Sequence, residues 1–289
     1  MVWILAVLLI AASPLAAQDY SKLRVIAFGA HPDDCDGRAG GLAAKYAAAG
    51  HLVKFVSVTN GDAGHHEQGG GMLAKRRRAE ALEAGRRIGI EYEVLDNHDG
   101  ELLPTLEVRR QIIRKIREWQ ADIVLGPRPN DYHPDHRNTG ILVQDAAYTV
   151  TVPNLVTDTP ALRKNPVFLY FSDGFTRPQP FRPDIVVSID EVIDKKIDML
   201  DAHVSQMYEW LPWHAGKLAE VPKDPAARKK WLLAQRPSRV PPEWKQALEK
   251  WYGAKAATIQ HAEAFEITEY GRRPDEAEIR KLFPFFPEK

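Results

Sequence analysis

A single cysteine, Cys35, in 289 residues excludes an internal disulfide, so no covalent cross-link within the chain stabilises the fold. Excess charge is missing as well. Lysine plus arginine number 39 and aspartate plus glutamate 39, which leaves no net field to draw the protein onto nucleic acid or anionic lipid. The short basic clusters Arg76-Arg77-Arg78 and Lys229-Lys230 read as solvated helix faces. Long apolar runs are absent but for one, Val2 to Ala12, and it is too short to span a bilayer, which takes about 20 residues. Ser13-Pro14 follows it, then the small-residue site Leu15-Ala16-Ala17 before Gln18. The pattern is that of a signal peptide over residues 1–17, though no lysine or arginine precedes the run. The expectations are export to the periplasm or beyond, a mature chain from Gln18, and no stable membrane insertion after cleavage. No internal repeat or low-complexity tract is present, and the oligomeric state leaves no mark in the sequence.

What is present is a regular alternation. Apolar, β-branched runs at Leu23–Ala30, Leu52–Thr59, Ile90–Leu95, Ile123–Leu125, Val167–Phe171 and Ile185–Ile189 predict strands buried on both faces. Between them lie helical patterns. Gly37–Ala49 is alanine-rich and stops at Gly50; Leu106, Ile112, Ile113, Ile116 and Trp119 form one stripe. Such alternation predicts right-handed β-α-β units, hence an α/β domain with a mainly parallel sheet and helices on both faces, over residues 18–289. From Asp190 to Trp210 a long helix is expected. Beyond about residue 210 the chain reads as a helical extension rich in aromatics and proline, whose tryptophans serve packing.

Two short runs carry the chemistry. His31-Pro32-Asp33-Asp34 follows the first strand, and His133-Pro134-Asp135-His136 follows the fourth after a proline-rich loop. Sites in such sheets form at the carboxyl ends of strands, so the topology can bring the two runs together. The paired runs then supply two imidazoles and a carboxylate for a metal: His31, Asp34, and either His133 or His136. Zinc with three protein ligands keeps a position for water and lowers its pKa toward neutrality. Asp33 is placed to accept a proton from that water, and Asp135 to accept the N–H of a ligand imidazole. The histidine left over would face a developing oxyanion or a leaving group. Two rival readings share these residues. One is a non-haem iron(II) oxygenase with a two-histidine, one-carboxylate triad, and the other is a non-catalytic exported binding protein.

From about Lys22 to Arg272 the chain resembles the PIG-L/LmbE-like zinc-dependent N-deacetylases. The resemblance lies in Ala30-His31-Pro32-Asp33-Asp34, Gly40-Gly41, Thr59-Asn60-Gly61-Asp62-Ala63-Gly64 and the arginine/glutamate helix from Arg77 to Gly89. Asp131 to Arg137 and His203-Val204-Ser205-Gln206 complete it. It implies a Rossmann-like fold and hydrolysis of an N-acetyl group, often on a glucosamine-containing small molecule or glycan. It also implies zinc ligands His31, Asp34 and His136, with Asp33 as general base. His133 would face the oxyanion or leaving group, and Arg77 would contact substrate. For His203, lining the pocket and bonding between helices are both open. One position departs from the family: Cys35 stands where many members carry glutamate.

Overall fold

Alternation of buried side chains along each strand builds a sheet that is covered on both faces. In β1 (Arg24–Gly29), Val25 and Ala27 enter one apolar layer, while Ile26 and Phe28 enter the other. Successive strand residues point to opposite faces, so one short strand serves both cores. The computed structural model describes residues 22–235 and 240–287; the expected signal peptide over 1–17 lies outside them. No helix among the described residues is long and apolar enough to cross a membrane.

The chain then alternates as α1 (Asp34–Ala48), β2 (Leu52–Thr59), α2 (Gly70–Ile88), β3 (Glu91–Asn97), α3 (Leu106–Trp119), β4 (Ile123–Gly126), α4 (Pro134–Thr149) and β5 (Val167–Phe171). The seven-stranded sheet has the order β3-β2-β1-β4-β5-β7-β6, with β1 to β5 parallel. α1 and α2 pack on one face, α3 and α4 on the other. The order therefore reverses between β1 and β4, which opens a crevice at their carboxyl ends. Local chemistry sets the boundaries. Thr105 caps α3 by accepting from the Val108 amide, α2 ends at Gly89 in the left-handed region, and Pro134 occupies the first turn of α4.

Past β5 the structure departs from expectation twice. β6 (Ile185–Ser188) is as expected, but a seventh strand, β7 (Ala262–Gly271), inserts antiparallel between β5 and β6. The extension after residue 210 is thus not helical throughout. Glutamates at 263, 266 and 269 hide that strand in the sequence, yet Glu263 and Glu266 are buried. Glu263 forms a 2.7 Å ion pair with Lys196 and accepts the Gly41 and Leu42 amides of α1 at 2.9 and 2.7 Å. The single helix expected over 190–210 is also broken. α5 (Ile193–Ala202) ends at His203, where ψ is 61°, and a π-helical turn occupies Ser205–Trp210. Glu80 on α2 accepts both the Ser205 amide and its hydroxyl, at 3.0 and 2.6 Å, and so anchors the turn beyond the break. The short α6 (Leu211–His214), then α7 (Pro225–Gln235), α8 (Lys245–Tyr252) and α9 (Glu276–Leu282) complete the chain. Phe286 stacks on Trp251, and Phe283 on Phe286. Cys35 is wholly buried in the core, where burial pushes its thiol well above its usual range.

Candidate active site

β1 delivers the first run to the crevice. The carbonyl of Ala30 is fixed by the Thr59 amide and hydroxyl, both at 2.8 Å, so the chain leaves β1 in a defined direction. His31 comes next, and its amide donates to Asp34 Oδ2 at 2.8 Å, which closes the strand-to-helix turn. Asp33 holds that turn at φ 147°, ψ −17°, a conformation costly for a non-glycine residue. Strain of this kind costs on the order of 1–3 kcal/mol and persists only where the surroundings enforce it. The second run arrives from β4. His133 caps α4 by accepting the Asp135 amide on Nδ1 at 3.2 Å, and His136 projects one turn further on.

Three donor atoms converge. His31 Nδ1 lies 3.2 Å from His136 Nε2, Asp34 Oδ2 lies 3.4 Å from His136 Nε2, and His31 Nδ1 lies 3.5 Å from Asp34 Oδ2. Tetrahedral zinc with ligands at about 2.0–2.1 Å spaces neighbouring donors by roughly 3.4 Å, so this near-equilateral triangle fits such an ion. The remaining ring nitrogens are held from behind. His31 Nε2 sits 3.0 Å from Asp99 Oδ1 and 3.3 Å from Asp135 Oδ2, and His136 Nδ1 sits 3.0 Å from Asp131 Oδ1. Carboxylates on those nitrogens place the protons there, leaving the converging nitrogens free as donors. The three histidines also cluster more loosely, with donor atoms all within 4.8 Å of one another. In that set the Nδ1 of His133 is already occupied by a backbone amide, so the tighter triangle through Asp34 is the better cradle.

The electrostatics agree with a cation site. Burial opposes charge on His31, but Asp135, Asp34 and Asp99 outweigh it and hold the imidazole well above its usual range. His136 is raised in the same way, burial being outweighed by Asp34 and Asp131. Asp34 is held well below the carboxylate range despite its burial, by His136 and His31. Where positive charge is this strongly favoured, imidazoles take up protons that a metal would displace. His133 moves the other way, lowered by burial and by its two imidazole neighbours. It is therefore neutral, with its proton on Nε2 because Nδ1 accepts the Asp135 amide. Asp33 is raised by burial, against the opposing pull of Arg77.

The structure thus brings His31, Asp33, Asp34, His133, Asp135 and His136 to one place, and buries two others. Arg77, expected to meet substrate, and His203, for which lining the pocket and bonding between helices were both open, are 2 % and 0 % exposed. Arg77 lies beneath the site. It donates to the Gly61 carbonyl at 3.1 Å and reaches Asp33 Oδ1 at 3.3 Å and Asp99 Oδ2 at 3.4 Å. The Thr59–Gly64 run exists to admit it, since a Cβ at Gly61 (φ +73°) would stand 2.5 Å from the guanidinium. His203 is buried 3.2 Å from Asp36, whose other oxygen accepts the Tyr92 hydroxyl at 2.8 Å. Both residues support the site from within. Two carboxylates had no role in the sequence reading. Asp99, in the turn after β3, is detectable because that strand ends on the same edge as β1. Asp131, two residues before His133, lies within the second run's own loop.

Fold and site together define a Rossmann-like protein with a cluster of residues that could hold a metal at the sheet's switch point. The chain belongs to the PIG-L/LmbE-like deacetylase family. The family model described as PIG-L, GlcNAc-PI de-N-acetylase, matches residues 26–147, which hold all three converging donors. The diacetylchitobiose deacetylase of Thermococcus kodakarensis is 31% identical over 203 residues, covering 66% of this chain and 73% of that relative. Among solved structures, the N,N'-diacetylchitobiose deacetylase of Pyrococcus horikoshii superposes with a TM-score of 0.62 at 23% identity, covering 84% of this chain and 83% of its own. The 4-carboxy-2-hydroxymuconate hydratase of Pseudomonas putida KT2440 also reaches 0.62, at 20% identity over 88% of this chain and 99% of its own. These structures share the fold, and a fold hosts more than one reaction, so chemistry is argued from the site. The mainly parallel sheet also removes the antiparallel barrel on which an iron(II) oxygenase triad is usually built.

Proposed function

We propose that this protein is a zinc-dependent hydrolase that removes the N-acetyl group from an N-acetylated amino sugar or glycoconjugate. The observation that carries the reading is the triangle of His31 Nδ1, Asp34 Oδ2 and His136 Nε2, with sides of 3.2, 3.4 and 3.5 Å. Support comes from family membership and from relatives that act on diacetylchitobiose. Zinc held by these three residues would supply Lewis acidity for the acetyl carbonyl and lower the pKa of water.

The protein's own residues do the rest. Asp99 and Asp135 hold His31, and Asp131 holds His136, so the donors are oriented before any ligand arrives. Asp33 serves as general base; its burial raises the carboxyl toward a useful range, and Arg77 keeps the group in place. His133, neutral with a proton on Nε2, donates to the oxygen on which charge develops. A proton must also reach the departing nitrogen, because an amide anion is too poor a leaving group at neutral pH, and Asp33, having taken a proton from the water, can return it.

The test pairs metal analysis with acetate release from N-acetylglucosamine and diacetylchitobiose. One zinc per chain, activity lost on chelation and activity restored by zinc are expected. Zinc bound at one per chain, with no acetate released from any N-acetylated sugar, would leave a metal-binding protein and overturn the catalytic reading.

A further inference from the structure

The crevice continues away from the catalytic residues toward β5 and the C-terminal part of the chain. Its inner end is a cavity of about 20 Å³ reached by Asp34 and His136, floored by Gly29 and Ala30. A second chamber of about 300 Å³ lies beyond, walled by Trp244, Glu243 and the buried Lys196–Glu263 pair. Arg38, Ser172 and Asp173 line both chambers and so stand between them.

Most charges along the inner cavity already have partners. Asp34 belongs to the donor triangle, and Asp131 is bonded to His136 at 3.0 Å. Asp173 is gripped by both arms of Arg128 at 2.6 Å, and Arg128 also donates to the Phe175 and Gln179 carbonyls. Arg38 is different. Its guanidinium donates to one backbone oxygen, Ser172 O, at 2.9 Å, and although its charge helps to hold Asp131 down, among the described residues no carboxylate lies within ion-pair distance of it. It stands one helical turn after Asp34, on the same side of α1. An exposed guanidinium with open donors, tethered beside a reacting centre, is suited to bidentate capture of a carboxylate or phosphate.

We infer that Arg38 is a specificity-determining residue that recognises an anionic substituent on the amino sugar, so that the substrate class is an acidic N-acetylated sugar. This rests on the proposed deacetylase reading and narrows its substrate. The closing experiment uses the zinc-loaded protein with N-acetylglucosamine, N-acetylglucosamine 6-phosphate and N-acetylmuramic acid, comparing wild type with Arg38→Ala and Arg38→Lys. A charge-assisted pair is worth roughly a tenfold to hundredfold in affinity. Wild type is expected to prefer one of the two acidic sugars in kcat/KM. Arg38→Ala should collapse the ratio of that sugar to N-acetylglucosamine by at least about tenfold, and Arg38→Lys should restore part of it. Wild type favouring the neutral sugar, or a ratio untouched by Arg38→Ala, overturns the inference while leaving the deacetylase intact. If no sugar is turned over, the deacetylase reading fails separately. Calorimetric binding of N-acetylglucosamine 6-phosphate to wild type and Arg38→Ala then decides, with equal affinities counting against Arg38.

Discussion

At the scale of single residues, two aspartates adjacent in sequence do different work. Asp34 Oδ2 faces the two converging imidazole nitrogens, whereas Asp33 turns to Arg77. Asp33→Asn tests this division better than alanine, since asparagine tolerates positive φ more readily than most residues and φ here is 147°. The variant should retain zinc and lose about a hundred- to ten-thousand-fold in kcat. Metal content must be measured beside the rate, because loss of zinc would mean that the two carboxylates have each other's roles. Asp131 offers a complementary test. Its carboxylate fixes the His136 ring without joining the triangle, so Asp131→Asn should weaken zinc affinity about ten- to hundredfold. Competition with a chromophoric chelator reads this directly, and an unchanged affinity would remove Asp131 from the site's support.

At the scale of elements, the site depends on how closely β1 meets α1. A Cβ added at Gly29 would stand 2.7 Å from Asp34 Cβ and 3.2 Å from the Cys35 amide. Neither atom is the far end of a flexible side chain, so Gly29→Ala must shift the start of α1. A loss of about 1–3 kcal/mol in chemical denaturation is expected, accompanied by loss of zinc; a variant equally destabilised but fully loaded would show that the turn adapts. β7 holds α1 from the other side. Glu263→Ala strands the buried Lys196 charge and should cost about 3–5 kcal/mol, and adding Lys196→Met should recover much of it. These elements also show what the sequence makes legible. The six apolar strands and the stripe of α3 were readable because burial on both faces leaves uninterrupted β-branched runs. β7 was not, because its glutamates satisfy lysine and backbone partners contributed by distant segments. The break at His203 was invisible for a related reason: Ile197, Leu200, Val204 and Met207 keep helical spacing across it, while Glu80 on α2 captures the Ser205 backbone. The ligand runs were legible because each is contiguous. Arg38 was not, since only the folded crevice shows which charges around it are already answered.

At the scale of the whole molecule, a net charge of zero makes stability depend on where its ion pairs stand rather than on overall repulsion. Several carboxylates far from the donor triangle titrate below their usual range. Glu209 is lowered despite its burial by Arg76, bonded through both oxygens at 2.7 Å, and by His65 at 2.9 Å. Glu93 is lowered, again against burial, by Lys115 and Lys54, and Glu83 is held at about 2 by Arg86 and Arg87. A carboxylate whose folded pKa is depressed contributes stability above its unfolded value and loses it as the pH falls through the folded one. Glu266 runs the other way, raised by burial. The depressed groups are the more numerous, so the melting temperature should be level near neutrality and fall as the pH drops from about 4.5 toward 2. Glu209 and Glu93 are each about a third exposed, and solvent limits such pairs to at most about 1 kcal/mol apiece. Glu209→Gln isolates one contribution. The variant should melt lower than wild type at pH 7 and converge on it at the acid end, once the pH has fallen through the lowered pKa of Glu209. The Arg76–Glu209 contact also joins α2 to the π-helical turn, so a purely structural loss would lower both ends of the curve equally. Parallel melting curves across the whole range would mean that the pair's charge adds nothing to stability.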